Sequence, residues 1–118
     1  AQIYLMSADG SSLQRLTVDE TEADRPTWSP NPFNEIAFAA RTGPGFDIKV
    51  YELSSRQTRR VTFGEGSNES PAYSRGGRHL AFTSTRSGRT QIYTIGRDGR
   101  GLRQITRDGN NTYPAWSN

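Results

Sequence analysis

The sequence predicts an all-β fold made of β-propeller blades, each with four antiparallel strands. Three observations support this prediction: a repeat of about 44 residues, four strand-like segments in each period, and turn formers between them. Hydrophobic residues make up 31% of the 118 residues, and 12 glycines and 6 prolines supply many turns. This composition favours short strands over helices.

The repeat is defined by four kinds of residue: a proline, an aromatic residue two positions later, an isoleucine and a threonine. Successive members of each set are 43 to 45 residues apart. The sets are Pro26, Pro71 and Pro114; Trp28, Tyr73 and Trp116; Ile3, Ile48 and Ile92; and Thr17, Thr62 and Thr106.

Each period holds up to four strand segments, in which aromatic and β-branched residues alternate with other residues. The first is Pro-x-aromatic-Ser, at 26–29, 71–74 and 114–117. The second is EIAFAA (35–40) and HLAFTS (79–84). The third is QIYLM (2–6), DIKVYEL (47–53) and QIYTI (91–95), and the fourth is LQRLT (13–17), TRRVT (58–62) and LRQIT (102–106).

The segments between these strands have the composition of turns. Asp9-Gly10 and Asp98-Gly99 are typical of hairpins that need positive φ, whereas the middle repeat has Ser54-Ser55 there. Arg75-Gly76-Gly77 and Pro30-Asn31-Pro32 join the first two strands of their repeats.

The recurring aromatic residues are predicted to be structural, because stacked blades bury their faces against each other. We expect Trp28, Tyr73 and Trp116 to lie between blades. Phe38, Phe82, Tyr4 and Tyr93 are expected beside them.

Residues 1–118 therefore read as one propeller segment of eleven strands, or about 2.75 blades. Residues 1–17 form the end of one blade, 26–62 and 71–106 are full blades, and 114–118 begin another. A partial propeller exposes apolar faces and strand edges. It is expected to be a piece of a larger protein or to complete itself by association with copies of itself.

Charge is distributed unevenly. Residues 1–40 carry a net charge of −4 and residues 41–118 a net charge of +7. The arginines of the second part are scattered, so solvated strand faces are favoured over a nucleic-acid surface, and no nucleic-acid partner is expected. No apolar run approaches 18 residues, so membrane insertion is not expected either.

Catalytic and metal chemistry find little support. The single histidine, His79, stands at the strand position that Glu35 holds in the other repeat, and we expect it to be exposed. There are no cysteines and no Gly-x-Ser-x-Gly motif, so neither a thiolate site nor a hydrolase elbow is present. No cofactor is expected. Calcium at the axis, near Asp24 and Glu69, is the one metal site that the carboxylates leave open, and water-bridged carboxylates are favoured over it.

The motifs PAWS, IAF, IY followed by DG, and RQIT resemble the PD40-type propeller repeat of the TolB family. Two longer phrases, at 29–53 and 62–106, resemble the C-terminal blades of that family, and the resemblance covers essentially the whole chain. The chain departs from the family pattern just after the aromatic-Ser pair. The family has Pro-Asp-Gly there, and this chain has Pro30-Asn31-Pro32 or Arg75-Gly76-Gly77. The resemblance implies a periplasmic, non-enzymatic protein of the Tol-Pal system that docks the peptidoglycan-associated lipoprotein or other Tol envelope proteins.

The candidate partner-binding residues come from loops that enter each first strand near the axis, at 18–25, 63–70 and 107–113. The family resemblance implies that this face receives the partner. Capping of the loop backbone is the alternative role, and for the two asparagines the two roles are equally supported. The candidates are Asp24, Arg25, Asn68, Glu69, Ser70, Asn111, Thr112 and Tyr113.

Three other functions remain open. The chain could be a fragment of a gating propeller from a peptidase, which a hydrolase motif in a longer gene would reveal. It could be a self-assembling or engineered repeat protein without a natural partner. Nucleic-acid binding through the arginines would show a steep salt dependence.

Overall fold

The computed structural model describes residues 4–6, 13–15 and 23–106, and the regular structure within these ranges is β-strand throughout. Two short strands, β1 (Tyr4–Met6) and β2 (Leu13–Arg15), pair with each other. The remaining strands form two four-stranded sheets, which we call blade 1 and blade 2.

Both blades are antiparallel meanders, since each strand pairs with the next one in the chain. Blade 1 consists of β3 (Ala23–Trp28), β4 (Glu35–Thr42), β5 (Gly45–Glu52) and β6 (Gln57–Arg60). Blade 2 consists of β7 (Asn68–Tyr73), β8 (His79–Ser84), β9 (Gln91–Gly96) and β10 (Arg103–Gln104). The all-β fold with four-stranded blades is confirmed.

The strands of the two blades occupy 23–60 and 68–104, a little earlier than the predicted blade ranges 26–62 and 71–106. The predicted boundaries stay predictions. The strand predicted at 114–118 lies outside the described residues.

The main hydrophobic core lies between the two blades. Small residues of β4, Ala37 and Ala39, face large residues of blade 2, among them Phe82 and Tyr93, whose stacked ring centroids are 5.9 Å apart. Burial of such side chains supplies most of the energy that holds one blade on the next. The other core residues are Ile48, Val50, Val61, Leu80 and Ile95.

Blade 1 is buried on its other face as well. Ile36, Phe38 and Ala40 alternate with the residues of the main core along β4, and they pack with Ala23 and Tyr51. Successive side chains of a strand point to opposite faces, so an uninterrupted apolar run such as EIAFAA is what a strand covered on both faces requires.

The predicted aromatic packing is confirmed for Phe38, Phe82 and Tyr93, which are buried, and Tyr73 is partly buried against the main core. It is wrong for Trp28 and Tyr4, which are 53% and 54% exposed. Tyr73 lies between two four-stranded sheets. Among the described residues no second four-stranded sheet covers Trp28 or Tyr4. Trp116 lies outside those residues.

The loops lie at two edges of the blades. The upper edge holds the turns 43–44 and 85–90 and the loop 61–67, which leads from β6 to β7. The lower edge holds 29–34 and 74–78, between the first two strands of each blade, and 53–56 and 97–102, between the last two. The predicted partner-binding residues that the structure describes, Asp24, Arg25, Asn68, Glu69 and Ser70, lie at the upper edge.

Candidate partner-binding loops

The loop 61–67 carries the chain from the outermost strand of blade 1 to the innermost strand of blade 2, and a buried carboxylate holds it in place. Asp47, on β5, is fully buried. Its Oδ1 accepts hydrogen bonds from the Thr62 hydroxyl (2.6 Å), the Gly64 amide (2.9 Å) and Asn68 Nδ2 (3.0 Å). One oxygen therefore fixes both the loop and the start of β7.

The second oxygen of Asp47 is bound as well. Its Oδ2 accepts a hydrogen bond from the Thr42 hydroxyl and lies 2.7 Å from Arg60 Nη2. Burial by itself would raise the pKa of Asp47. The hydrogen bonds from Thr42, Thr62 and Gly64, together with that from Arg60, outweigh it and hold the pKa below its usual value. The buried group is therefore a fully bonded carboxylate.

Next to this anchor, each innermost strand contains a β-bulge just before its proline. The register between β7 and β8 shifts between Glu69 and Ala72, and the register between β3 and β4 shifts between Asp24 and Thr27. Inside each bulge one residue adopts a left-handed conformation, with φ of 54° at Ser70 and 53° at Arg25. Non-glycine residues rarely adopt this conformation, and the repeat places it at the same position in both blades.

A bulge turns the side chains next to it away from the regular direction of the sheet. The two bulges lie at the same end of neighbouring strands, because each falls near the start of its strand and β3 and β7 contact each other. The residues just before Pro26 and Pro71 are therefore presented side by side at the upper edge, on a backbone that the strands hold rigid.

The described candidate residues occupy different environments. Arg25 is exposed, and Glu69 and Ser70 are half-buried. The Glu69 carboxylate accepts a hydrogen bond from the Ser67 hydroxyl at 3.2 Å, and its main-chain oxygen accepts one from Thr83. For Asp24 the structure describes the backbone, and this backbone pairs with Ala39 of β4. Asn111, Thr112 and Tyr113 lie outside the described residues.

Asn68 differs from the other candidates because its side chain is fully buried. Its amide donates to Asp47, and its Oδ1 accepts a hydrogen bond of 3.1 Å from Arg86 Nη2. The Arg86 guanidinium also lies 5.1 Å from the centre of the Tyr93 ring. These contacts favour the loop-holding role that the sequence left open for Asn68. Partner contact through it stays a prediction.

Sequence reasoning missed Asp47, although the sequence carried a signal for it. Asp47 and Thr62 are 15 residues apart, and Gln91 and Thr106 repeat this spacing in blade 2. The Thr106 hydroxyl donates to Gln91 Oε1 at 2.6 Å, just as the Thr62 hydroxyl donates to Asp47. A polar residue before the isoleucine, paired with the repeat threonine, is therefore a structural element of each blade.

A second buried carboxylate, also missed, lies toward the lower edge. Glu35 is 1% exposed, and its Oε2 accepts hydrogen bonds from Tyr73 Oη (2.7 Å), Arg59 Nη2 (3.0 Å) and Arg97 Nε (3.2 Å). Burial would raise the pKa of Glu35. The hydrogen bonds from Arg97, Tyr73 and Arg59 outweigh it and lower the pKa. Glu35 thus joins blade 1 to blade 2. His79, its counterpart in the repeat, is exposed as predicted.

Every buried side-chain nitrogen or oxygen among the described residues has a hydrogen-bond partner. Within the same residues, no three histidine or acidic side chains come together as a metal site. Asp47 and Glu35 therefore act in the described part of the chain as structural anions that arginines and hydroxyl groups compensate.

Comparison with known proteins shows which propeller family has this architecture. The family profile described as PD40, TolB beta propeller domain, matches residues 20–118. The chain belongs to the TolB beta-propeller family. The resemblance inferred from the repeat motifs is thereby confirmed.

Two individual relatives cover most of this chain. The chain is 36% identical to the Tol-Pal system protein TolB of Ruthia magnifica over 108 residues, or 91% of this chain and 25% of that protein. It is 33% identical to an uncharacterized protein of Agrobacterium fabrum over 104 residues, or 88% of this chain and 35% of that protein.

Two solved TolB structures have the same fold. One from Agrobacterium tumefaciens, described as a TolB, superimposes with a TM-score of 0.88 at 30% identity, covering 96% of this chain and 40% of that one. TolB from Acinetobacter baumannii gives a TM-score of 0.78 at 27% identity, covering 92% of this chain and 27% of that one. The TolB-type segment described here thus spans less than half the length of these relatives.

The described part of the segment contains no helix with the length and apolar character needed to cross a bilayer.

Proposed function

We propose that this TolB-type segment is a non-enzymatic docking module of the Tol-Pal system that binds the peptidoglycan-associated lipoprotein, or another Tol envelope protein, in the periplasm. The observation that carries the proposal is the pair of matching bulges at Arg25 and Ser70, which present variable residues at the same end of neighbouring strands. Relatives named Tol-Pal system protein TolB support the choice of partner.

Rigidity is the physical reason for assigning binding to this edge. The Asp47 hydrogen bonds fix the loop 61–67, and β8 pairs with β7 on both sides of the bulge. A surface that is already ordered pays less conformational entropy when a partner binds. Residues that differ between blades, such as Arg25 and Ser70, then give each blade its own contact with the partner.

The test is a calorimetric titration of the peptidoglycan-associated lipoprotein against the double variant Arg25→Ala/Glu69→Ala. We expect affinity to fall about tenfold or more, because the few hot-spot residues at the centre of an interface cost more than about 1 kcal/mol each when truncated. The matched control, Glu52→Ala/Arg56→Ala, removes one carboxylate and one cation from the lower edge of blade 1. Undiminished binding by the first variant would contradict the loop assignment.

The exposed side chain of Ile105, on the outer face of blade 2, indicates a second interaction, which is self-association. Val61 is 2% exposed because blade 2 covers it, whereas Ile105, its counterpart in the repeat, is 53% exposed. Both make the same main-chain hydrogen bond of 2.8 Å, to Ile48 and Ile92 respectively. We infer that a further blade packs on this face of blade 2, and that a second copy supplies it when the segment is isolated.

Light scattering tests this inference. We expect a concentration-dependent dimer, and a shift to monomer in Ile105→Glu, because a charge cannot be buried in an apolar contact without a partner. Arg103→Gln, two residues earlier on β10, changes the net charge by the same amount and is the control. A wild-type segment that stays monomeric at all concentrations would exclude self-association.

No cofactor is proposed. Calcium at the axis remains the one alternative, and a thermal unfolding experiment with calcium and with a chelator tests it. Binding to the folded state would raise the melting temperature with calcium concentration. An unchanged melting temperature would exclude a stabilising ion.

A further inference from the structure

A groove at the lower edge is not used by the docking surface proposed above. It lies between the loops 74–78 and 97–102 of blade 2 and the first loop of blade 1, and its volume is about 430 Å³. The side chains that line it are Phe33, Arg78, His79, Arg97, Asp98 and Arg100. We call this the basic groove.

The basic groove has an excess of positive charge, because three arginines face one carboxylate. Arg78 is exposed, and its guanidinium makes no hydrogen bond or ion pair with any other residue that the structure describes. Arg100 is 89% exposed and has a single loose ion pair, 3.9 Å from Asp98. Two arginine side chains are therefore available to a ligand.

The third arginine forms a rigid wall. Arg97 holds the buried Glu35 carboxylate through Nε and Nη2, and its guanidinium lies 4.0 Å from the centre of the Phe33 ring. Its charge is compensated by Glu35, and burial of Glu35 between the blades fixes its position. Arg97 therefore forms part of the wall of the basic groove, but it adds no uncompensated positive charge to it.

The backbone of the two loops is also fixed. The Arg97 amide donates to the Arg78 main-chain oxygen at 2.9 Å, which ties the loops together, and the Gly96 amide donates to the Arg100 oxygen at 2.7 Å. The Arg100 amide donates to Asp98 Oδ1 at 3.1 Å. Arg78 and Arg100 thus project from a single ordered frame.

We propose that the basic groove binds carboxylate side chains of an acidic segment of a partner protein. Each arginine presents a planar set of N–H donors that matches a carboxylate. Arg97 already binds Glu35 in this way, through Nε and Nη2. Incoming carboxylates from a partner would bind Arg78 and displace Asp98 from Arg100.

Two other anionic partners fit the basic groove less well. A nucleic-acid backbone is bound through many phosphate contacts, and the basic groove offers only Arg78 and Arg100 for them. A membrane surface needs a free apolar anchor as well as charge, and the Arg97 guanidinium covers the Phe33 ring. Acidic protein segments are the class that the geometry favours.

A fluorescent oligoglutamate peptide, titrated against the folded chain at low salt, is the direct test. We expect Arg78→Gln/Arg100→Gln to weaken binding about tenfold, because both free cations are lost. The control Arg56→Gln/Arg89→Gln removes the same charge from exposed positions outside the basic groove and is expected to weaken binding less than about twofold. Circular dichroism melts establish that both variants fold.

Three outcomes would overturn the proposal: equal weakening by the two variants, no binding of the peptide, or tighter binding of phosphatidylglycerol vesicles or single-stranded DNA that is lost in the basic-groove variant. The proposal is independent of the upper edge. Arg25→Ala/Glu69→Ala should bind the peptide normally, so failure of one proposal leaves the other standing.

Discussion

The Tyr73 hydroxyl donates a hydrogen bond of 2.7 Å to Oε2 of Glu35, across the boundary between the two blades. Tyr73 is the aromatic residue of the repeat, and Glu35 begins the second strand of the blade before it. Burial, followed by the contact with Glu35, raises the pKa of Tyr73, so the phenol stays a donor over the physiological pH range. Tyr73 therefore not only packs between the blades, as the repeat position predicts, but also joins them by a specific hydrogen bond.

Glu35→Gln should lower the free energy of unfolding by about 3–5 kcal/mol, because Arg59 and Arg97 lose the buried charge that compensates them. Urea unfolding measures the effect. The matched control is Glu52→Gln, because Glu52 is the ladder partner of Glu35 and lies 3.8 Å from Arg59 at a more exposed position. We expect this control to cost less than about 1 kcal/mol. Equal losses would show that burial of Glu35 is not the cause.

Stability should fall steeply in acid. The pKa values of Glu35 and Asp47 are lower in the folded protein than their ordinary values of 4.5 and 3.8. Each carboxylate therefore contributes stability that is complete above its unfolded-state value and is lost as the pH falls through the lower folded-state value. Urea midpoints measured between pH 7 and pH 2 test this, and the loss should begin below about pH 5.

The pH dependence should weaken in a variant that cannot ionise at one site. Asp47→Asn is expected to be less stable at pH 7 and to lose less additional stability in acid. Asp98→Asn, an exposed carboxylate on the lower edge, should keep the wild-type dependence. An Asp47→Asn curve parallel to wild type would contradict the lowered pKa of Asp47.

Asp47→Asn should also loosen the loop 61–67 selectively. Asparagine has one acceptor oxygen where the carboxylate has two, and it carries no charge. Its amide nitrogen therefore replaces either the oxygen bound by Thr62, Gly64 and Asn68 or the one bound by Thr42 and Arg60, and in both orientations the loop donors lose their bond to a buried charge. Hydrogen exchange of the Gly64 amide should accelerate about tenfold or more, since losing a hydrogen bond to a buried charge typically costs 1.5–3 kcal/mol. The Gly77 amide, bonded to Ser74 in another turn, should exchange as in the wild type.

Gly66→Ala should destabilise the chain through a steric clash. Gly66 has a φ of +71°, and an added Cβ would lie 2.6 Å from the Arg86 amide nitrogen. Gly88→Ala is the matched control, because Gly88 has a φ of +100° with open space around its Cα. In the control we expect the free energy of unfolding to fall by about 1 kcal/mol, from the backbone conformation alone. Gly66→Ala should lose clearly more, because the clash adds to that cost. Thermal unfolding measures both losses. Equal losses would show that the loop moves to accommodate the methyl group.

The fold could be predicted because each of its determinants is local or repeated. The alternation of apolar residues defines each strand, and the period of about 44 residues defines the blade. The upper-edge residues could be placed for the same reason, since the proline that follows each bulge marks its position. The left-handed conformation at Arg25 and Ser70 could not be predicted, because neither residue type favours it.

The sequence by itself determined the family, the strand order and the edge on which Arg25, Glu69 and Ser70 lie. Tertiary structure alone decided which polar residues are buried. Glu35 is bound by Arg59, Tyr73 and Arg97, which are 24, 38 and 62 residues further along the chain. A carboxylate can enter a core only when such partners converge on it, and that convergence depends on how one blade packs against the next.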